Sequence, residues 1–275
     1  MARHVYAHLL ARKGAARIEL IPPEVLEALN EAQVPTVNLN EFLALDLPRF
    51  SRNVARHIGI DPQHERLVDT LAMIEAFSKV KRHEHVARAF YDIAEPRNER
   101  DAIAHSLATH PSDVARAWAA QWVMFARMPL AEKLVAVRRF AADAHFGVRE
   151  VAWMSVRDEV AGNIDAAVAL LMPWVRDADA NIRRFASELT RPRGVWCAQI
   201  EALKREPWRA ASLVEPLKSD PSRYVQNSVA NWLNDASKTQ PEWVERVCSR
   251  WERASRTAET RYIVRRARRS LATSS

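Results

Sequence analysis

Apolar residues recur in the second half of the chain in a pattern that is repeated four times. In each copy an acidic residue is followed five positions later by an aliphatic residue, and these aliphatic residues are Val148, Ile182, Val225 and Val264, spaced by 34, 43 and 39 residues. Fainter copies surround Val114 and Val86. Apolar positions three, four and seven residues beyond each aliphatic residue predict amphipathic helices, and the acidic residues are placed to cap the helix N-termini.

The stretches that precede the copies predict partner helices. Both "IDAAVALLMPWV" and "WRAASLVEPL" carry apolar residues at helical spacing. Each unit of about forty residues is then a helical hairpin that cannot bury its apolar side alone, so that neighbouring hairpins must stack. We therefore expect an all-α fold, a HEAT-like helical-repeat solenoid in which antiparallel helix pairs form a curved superhelix.

The N-terminal segment predicts additional helices. Residues 1–50 contain "IPPEVLEALN" and "VNLNEFLALDL" and are expected to form an N-terminal helical cap. Residues 51–275 are expected to form the repeat solenoid. Because no low-complexity linker separates the two segments, we expect them to be continuous, as a single domain.

A polar stripe lies opposite the apolar one on two of the predicted helices. It consists of Arg184, Glu188 and Arg191 in the second copy and of Asn227, Asn231 and Asp235 in the third. If these are the inner helices of the solenoid, the two stripes lie side by side on its concave surface. Pro192 is expected to end the second helix, which places Arg193 and Trp196 in the turn beyond it.

Charge suggests a polyanionic partner. The net charge is +7, and nine arginines against three glutamates lie between Val244 and Arg269. Such a surface attracts nucleic acid, although it is also compatible with a solvated helix face. The two cysteines have no metal-site spacing, and no signal peptide or membrane span is evident. We expect a cytoplasmic protein, associated with the nucleoid when bound to DNA, and no membrane partner.

The stretches "NIRRFASELTRPRGVW" and "DPSRYVQNSVANWLNDASK" resemble the AlkC branch of the HEAT-like-repeat DNA alkylation repair proteins, relatives of the AlkD glycosylases. The resemblance covers residues 110–275 well and the preceding residues more weakly. It implies a DNA glycosylase of base excision repair that hydrolyses the N-glycosidic bond of cationic N-alkylated purines in duplex DNA, of the 3-methyladenine and 7-methylguanine class. It also implies a monomer that needs neither a metal nor another cofactor.

The resemblance also implies roles for individual residues. Glu188 and Asp235 match carboxylates that line the lesion site of the family. The expected DNA-binding residues, from the family match, the polar stripes and the basic C-terminal repeat together, are Arg149, Arg183, Arg184, Arg191, Arg193, Trp196, Asn227, Asn231, Arg265 and Arg266.

One candidate catalytic position departs from the family. His145 stands in "HFGVR", where the AlkC branch carries a catalytic glutamate, and a histidine supplies no fixed negative charge. Three alternatives follow: Glu188 and Asp235 carry the catalytic electrostatics, another acid such as Asp158 or Glu159 takes part, or this protein does not excise bases.

Each candidate also has a structural interpretation. Glu188 is spaced to pair with Arg184 on one helix face, Asp235 is placed to be a polar residue at a helix end, and His145 suits a loop or helix cap. Two other functions therefore compete with the glycosylase: a non-catalytic repeat protein that binds damaged or branched DNA, and a protein-binding scaffold, which the arginine-rich stripe disfavours.

Overall fold

The computed structural model describes residues 6–96, 99–194 and 197–271, and every regular element in these ranges is helical. The predicted all-α class is therefore confirmed. The chain forms two compact units, one of residues 1–127 with 145–151 and one of residues 128–144 with 152–275. In the described part of the chain, no helix is both long and apolar enough to cross a lipid bilayer.

The first unit contains the helices predicted near the N-terminus and those around the two faint repeat copies. They are α1 Pro23–Asn30, α2 Leu39–Leu43, α3 Leu47–His57, α4 Glu65–Ala72, α5 Lys79–Ala94, α6 Arg100–Ala108 and α7 Asp113–Phe125. Helix α5 packs against α4 and α7, and α6 also packs against α7. Helix α3 crosses residue 50, and the boundary between cap and solenoid stays a prediction.

The second unit contains most of the clear repeat copies. The remaining helices are α8 Leu130–Ala141, α9 Phe146–Met154, α10 Arg157–Gly162, α11 Ile164–Leu171, α12 Ala180–Leu189, α13 Glu201–Arg205, α14 Ala211–Val214, α15 Arg223–Ser237, α16 Pro241–Ala254 and α17 Ala258–Ala267. Of these, α9 begins in the first unit and ends in the second. Helix α15 packs against both α12 and α17, and α16 packs against both α15 and α17.

The repeating aliphatic residues are core residues, as predicted. Val148, Ile182 and Val225 each lie two residues after the first residue of their helix, and Val264 lies six residues after the start of α17. All four are buried. In α12 the apolar stripe continues with Phe185, Ala186 and Leu189, which are also buried. Helix α12 ends at Leu189, shortly before Pro192, because proline offers no amide donor and restricts the preceding residue.

At α12 and α15 the acidic residue of the repeat does not cap the helix, contrary to the prediction. Asp177 and Asp220 accept the backbone N–H of Asp179 and Ser222 respectively, two residues further on, and so fix the loop before the helix. It is Asp179 that caps α12 through the N–H of Asn181. Short carboxylate side chains form such local turns as readily as caps, and spacing alone does not separate the two.

The predicted partner of α15 is interrupted. The stretch "WRAASLVEPL" forms three short turns in place of one helix: a 3-10 turn at Pro207–Ala210, then α14, then a 3-10 turn at Glu215–Leu217. Proline begins or follows the start of both 3-10 turns, where its missing N–H is tolerated. The apolar residues Ala210, Leu213, Val214 and Leu217 are nevertheless buried, so the pattern predicted the buried face but not the breaks.

Candidate functional site: a carboxylate–arginine cluster

Glu188 and Asp235 share one arginine. Helix α12 carries Glu188 near its C-terminal end, and α15 carries Asp235 in its last turn. Arg191 Nη1 donates to Glu188 Oε1 at 2.6 Å, and Arg191 Nε donates to Asp235 Oδ2 at 2.8 Å. The packing of α12 against α15 thus brings together carboxylates that are 47 positions apart in the sequence. We call Glu188, Arg191 and Asp235, with Arg184 and Ser228, the carboxylate cluster.

The remaining members hold Glu188 from the other side. Ser228 Oγ of α15 donates to Glu188 Oε2 at 2.7 Å. Arg184 Nη2 lies 3.4 Å from the same oxygen, at the helical spacing that the sequence predicted, and its guanidinium lies over the ring of Tyr224, 4.2 Å from the centroid. Glu188 therefore has a charged or polar partner at each carboxylate oxygen.

The cluster is buried, whereas the sequence suggested an open polar stripe. Glu188 is 4% exposed and Asp235 3% exposed, and Arg184 and Arg191 are close to fully buried. Buried charges are tolerated only when they are paired and hydrogen-bonded, which is the arrangement found here.

The two carboxylates have pKa values shifted in opposite directions. Burial raises the pKa of Glu188, but Arg184, Arg191 and the Ser228 hydroxyl outweigh burial and leave the pKa below its ordinary value. Burial also raises the pKa of Asp235, and here Arg191 does not compensate, so the pKa stays above the ordinary aspartate value. Glu188 is thus a persistent anion, whereas Asp235 is the carboxylate that accepts a proton more readily.

A buried arginine fixes the loop that carries Arg191. Arg157, at the start of α10, donates to three backbone carbonyls: Nη1 to Leu189 at 2.6 Å, Nη2 to Arg191 at 2.8 Å and Nε to Ala198 at 3.1 Å. It is 1% exposed, and burial lowers its pKa. Trp232 adds a hydrogen bond from its indole N–H to the carbonyl of Thr190, at 2.8 Å. The chain beyond α12 is therefore held by donors from two other helices.

The expected DNA-binding residues occupy varied surroundings. Arg183 is 13% exposed at its side chain and donates twice to Asp220, at 2.6 and 3.0 Å. Asn227 accepts from the Tyr262 hydroxyl at 2.7 Å, and Asn231 accepts from Arg269 at 3.0 Å. The others are Arg149, half-buried on α9; Arg193, half-buried beyond α12; Arg265, exposed on α17; and Arg266, half-buried on α17. Trp196 lies outside the described residues, and its role and those of the other residues stay predictions.

His145 lies in the loop before α9, in the first unit, and its imidazole contacts Thr36, Asp113 and Gly147 of the same unit. Its Nε2 is 2.7 Å from the carbonyl oxygen of Thr36, and its Nδ1 is 3.1 Å from both the Asp113 carboxylate and the N–H of Gly147. Asp113 also accepts the backbone N–H and the hydroxyl of Thr36, each at 2.8 Å. These contacts are those of a residue that fixes a loop, in keeping with the structural interpretation of His145.

The other acids named as alternatives lie on α10. Asp158 is exposed, and the carboxylate of half-buried Glu159 pairs with Lys133 of α8. Within the described ranges, no group of three or more His, Cys, Asp or Glu side chains is placed to hold a metal ion.

Sequence reasoning missed Ser228 and Arg157, although each left a signal. Ser228 occupies a core position, three residues after Val225, where a hydroxyl needs a buried partner. Arg157 falls on the apolar stripe formed by Trp153, Val156 and Val160, at spacings typical of one helix face, and all four residues are buried. A polar or charged residue on such a stripe indicates a buried hydrogen-bonding role.

Comparison with known proteins gives a partial match in sequence. No model of a known protein family matches the chain. The uncharacterized protein YhaZ of Bacillus subtilis (strain 168) is 39% identical over 104 residues, which are 38% of this chain and 29% of YhaZ. The chain thus covers less than a third of that relative.

Solved structures match over more of the chain. Pseudomonas fluorescens alkylpurine DNA glycosylase AlkC, bound to DNA containing an abasic site analog, matches with a TM-score of 0.68 and 23% identity over 80% of this chain and 61% of AlkC. The smu.31 protein of Streptococcus mutans UA159 matches with a TM-score of 0.57 and 22% identity, and AlkD2 of Streptococcus mutans with 0.56 and 21%, each over 74% of this chain and 98% of theirs. The chain therefore shares the all-α, HEAT-like helical-repeat fold of the AlkC and AlkD2 structures.

Proposed function

We propose that this protein is a DNA glycosylase that hydrolyses the N-glycosidic bond of cationic N-alkylated purines in duplex DNA. The observation that carries the proposal is the pair of buried carboxylates, Glu188 and Asp235, joined by one arginine and shifted in pKa in opposite directions. The fold it shares with AlkC, an alkylpurine DNA glycosylase, supports the same activity.

The chemistry of the lesion explains why carboxylates suffice. Alkylation of a ring nitrogen makes the purine cationic, so that it departs as a neutral base when the bond between the sugar C1′ and the purine nitrogen breaks. The sugar becomes an oxocarbenium ion, which captures water and releases a proton to leave an abasic site. An anion close to the sugar stabilises that charge, and a nearby base accepts the proton from water.

The two pKa shifts suit these two roles. Glu188, whose pKa is lowered, is assigned the electrostatic role because it keeps its charge. Asp235, whose pKa is raised, is assigned the role of the base that orients and deprotonates water. Divergent pKa values within a pair of carboxylates often separate catalytic roles in this way. No metal or other cofactor enters this scheme.

Access to the carboxylates depends on their arginines. A DNA phosphate, like a carboxylate, accepts two hydrogen bonds from one guanidinium group. It therefore competes with Glu188 and Asp235 for Arg184 and Arg191. We propose that duplex DNA draws these arginines outward and so exposes Glu188 and Asp235. We further propose that the protein acts as a monomer in the cytoplasm, associated with the nucleoid when it is bound to DNA.

The burial of the cluster favours a second candidate function. Glu188 and Asp235 are almost fully paired within the protein, and His145 occupies the position of a family glutamate while contacting Asp113 and Thr36. A protein that binds damaged or branched DNA without cleaving it would retain the arginines and need no free carboxylate.

An excision assay separates the two functions. Duplex DNA containing 7-methylguanine or 3-methyladenine is incubated under single-turnover conditions with wild-type protein, Glu188→Gln and Asp235→Asn, and the released base is quantified. We expect wild type to release the base and each variant to lose on the order of 100-fold or more in rate, because removal of one electrostatic or acid–base group typically has that effect. Asp165→Asn, at an exposed ion pair with Arg209, is the matched control and keeps the wild-type rate.

DNA affinity is measured in parallel for all four proteins. Retained affinity with lost excision in Glu188→Gln or Asp235→Asn supports catalysis by the cluster. Wild-type protein that binds the duplex but releases no base would refute the glycosylase proposal in favour of the non-catalytic function.

A further inference from the structure

A basic site lies at the opposite end of α15 from Asp235. A cleft of about 460 Å³ is lined by Arg223, Ala258, Arg261, Tyr262 and Arg265. Ala258, Arg261, Tyr262 and Arg265 follow helical spacing and lie on one face of α17, and Arg223 is the first residue of α15. We call it the arginine cleft.

The arginine cleft gathers like charges. Its described lining residues include three arginines and no aspartate or glutamate. Among the described ion pairs, none joins Arg223, Arg261 or Arg265 to a carboxylate, in contrast to Arg183, Arg191 and Arg268 of the same unit. Because neighbouring like charges repel, an anion bound among these arginines would reduce the repulsion.

The guanidinium groups are oriented by an aromatic ring. The Arg223 guanidinium carbon lies 3.6 Å from the centroid of the Tyr262 ring, and that of Arg265 lies 5.7 Å from it. The Tyr262 hydroxyl donates to Asn227, which fixes the ring. An arginine stacked on an aromatic ring keeps its N–H groups in the guanidinium plane free to point toward a ligand, and so retains its capacity to bind an oxyanion.

Two helix N-termini add to the positive potential. Arg223 begins α15, a helix of 15 residues, and Ala258 begins α17, a helix of 10 residues. Helix N-termini carry partial positive charge and present backbone amides, which favours phosphate groups in particular. The cleft volume also lies within the range of small-ligand sites, about 300–1,000 Å³.

We propose that the arginine cleft is a phosphate-binding site for a nucleic acid strand, separate from the carboxylate cluster. The twelve residues from Arg223 to Asp235 correspond to about 18 Å along a helix axis, so one phosphate does not reach both. The proposal extends the proposed function, because the strand bound here is that of the same DNA, yet it requires no base release.

The test uses duplex DNA without any lesion. Affinity is measured by fluorescence anisotropy from 50 to 200 mM salt for the full chain, for Arg223→Gln and for Arg265→Gln, with Arg246→Gln as control. Arg246 is an arginine on α16 with a side chain that is 69% exposed, outside the cleft. Loss of one phosphate contact lowers the slope of log affinity against log salt concentration by about 0.9. Between 50 and 200 mM salt, the fold decrease in affinity is therefore about three- to fourfold smaller for a cleft variant than for the control.

Two sources of the phosphate are distinguished by the DNA ends. Each protein is also titrated with the same duplex bearing 5′-phosphate or 5′-hydroxyl ends, and with inorganic phosphate as competitor. If the cleft binds an internal phosphodiester, the two cleft variants lose the same affinity for both duplexes. If the cleft binds a terminal phosphate, the two cleft variants lose only the higher affinity for the duplex with 5′-phosphate ends. Either result supports the site.

Cleft variants that match Arg246→Gln in affinity, salt slope and end preference would overturn the proposal. Thermal unfolding by circular dichroism shows whether each variant is folded, and because there are two independent variants, one unfolded protein does not remove the test. The outcome is also distinct from that of the glycosylase proposal, since no base release is measured here.

Discussion

Arg191 shows how much a single residue decides in this protein. It satisfies Glu188 and Asp235 together, and its own pKa, which burial lowers, is raised overall by these two carboxylates. Removing one partner of a buried ion pair typically costs about 3–5 kcal/mol, since the remaining charge stays buried without compensation. Substitution of Arg191 therefore tests stability before it tests function.

Stability at mildly acidic pH is expected to depend on His110. Burial, followed by the neighbouring His57 and Arg116, lowers the pKa of His110 to about 3, and the residue is 5% exposed. Below the ordinary histidine pKa of about 6.5, the unfolded chain binds a proton that the folded protein excludes. The free energy of unfolding therefore falls as the pH decreases from 6.5 toward 3, by about 1 kcal/mol between pH 6.5 and 5.5.

Urea unfolding at several pH values checks this expectation. His110→Asn offers an acceptor for the Ser112 N–H that His110 Nδ1 now binds, without a titrating ring. The variant is expected to lose less stability than wild type on acidification. Identical pH dependence in the two proteins would contradict the assignment.

At the scale of residues, contacts within one helix could be predicted from the sequence, whereas contacts between helices could not. The Arg184–Glu188 pair is at helical spacing and was visible in the sequence. The Arg191–Asp235 hydrogen bond joins residues 44 positions apart, and it depends on the register in which α12 packs against α15. No local pattern encodes that register, so the convergence on Arg191 could not be read from the sequence.

At the scale of elements, the segment after α12 is fixed by hydrogen bonds from side chains of other helices. Arg157 of α10 and Trp232 of α15 donate to carbonyls of residues 189–198, and the Ile200 N–H donates to the Pro192 carbonyl at 3.0 Å. Residues 190–194 and 197–200 form no helix of their own, so these bonds position Arg191.

Replacing Arg157 is therefore expected to loosen this segment. In Arg157→Met, the carbonyls of Leu189, Arg191 and Ala198 lose their donor. The bonds to Leu189 and Arg191 are buried, and the loss of each typically costs about 1–3 kcal/mol. We expect a marked fall in unfolding free energy together with faster hydrogen exchange of the Arg191 and Ile200 amides, measured by mass spectrometry. Arg246→Met removes the same charge from an exposed site and serves as the control. Equal exchange in the two variants would show that Arg157 does not position the segment.

The elements themselves were largely predictable, with informative failures. Periodic apolar residues predicted α12, α15 and α17 because burial of one helix face constrains every third or fourth residue. The same pattern predicted one helix before α15, where Pro207 and Pro216 divide the chain into short turns. The buried face survives such breaks, which explains how a pattern of burial was right while the continuity of the helix was wrong.

At the scale of the molecule, the excess of positive charge is expected to govern the DNA affinity that the proposed function requires. The net charge of +7 includes arginines at the carboxylate cluster and at the arginine cleft. Each phosphate that an arginine neutralises releases counterions, which makes binding weaken as salt increases. The repeat architecture allows such contacts to add along the chain, because each repeat contributes its own side chains.

We expect the affinity of the full chain for undamaged duplex DNA to fall steeply with salt. If about six to ten phosphates are contacted, the dissociation constant rises by roughly 10³–10⁵ between 50 and 200 mM salt. Isothermal titration or anisotropy at matched pH measures the slope, with an uncharged peptide nucleic acid duplex as control. Affinity that does not change with salt, or no binding at all, would instead favour the protein-binding scaffold.

The fold class and the repeat were predictable because four copies of the pattern each require a buried aliphatic residue at the same position. Val148, Ile182, Val225 and Val264 are all buried, as the copies required. The depth of the carboxylate cluster was not predictable, because a polar stripe on a helix is compatible with solvent or with a polar partner helix. Two residues of another repeat complete the cluster: Ser228 donates to Glu188, and the Tyr224 ring lies under Arg184.

If the cluster acts as proposed, the sharing of Arg191 determines when it becomes reactive. At rest, two guanidinium groups offset two carboxylates, so the cluster presents no net charge to a passing cation. A strand that captures either arginine leaves an uncompensated negative charge behind, close to its own sugars. The field that favours bond cleavage would then be switched on by the arrival of the substrate and be silent in its absence.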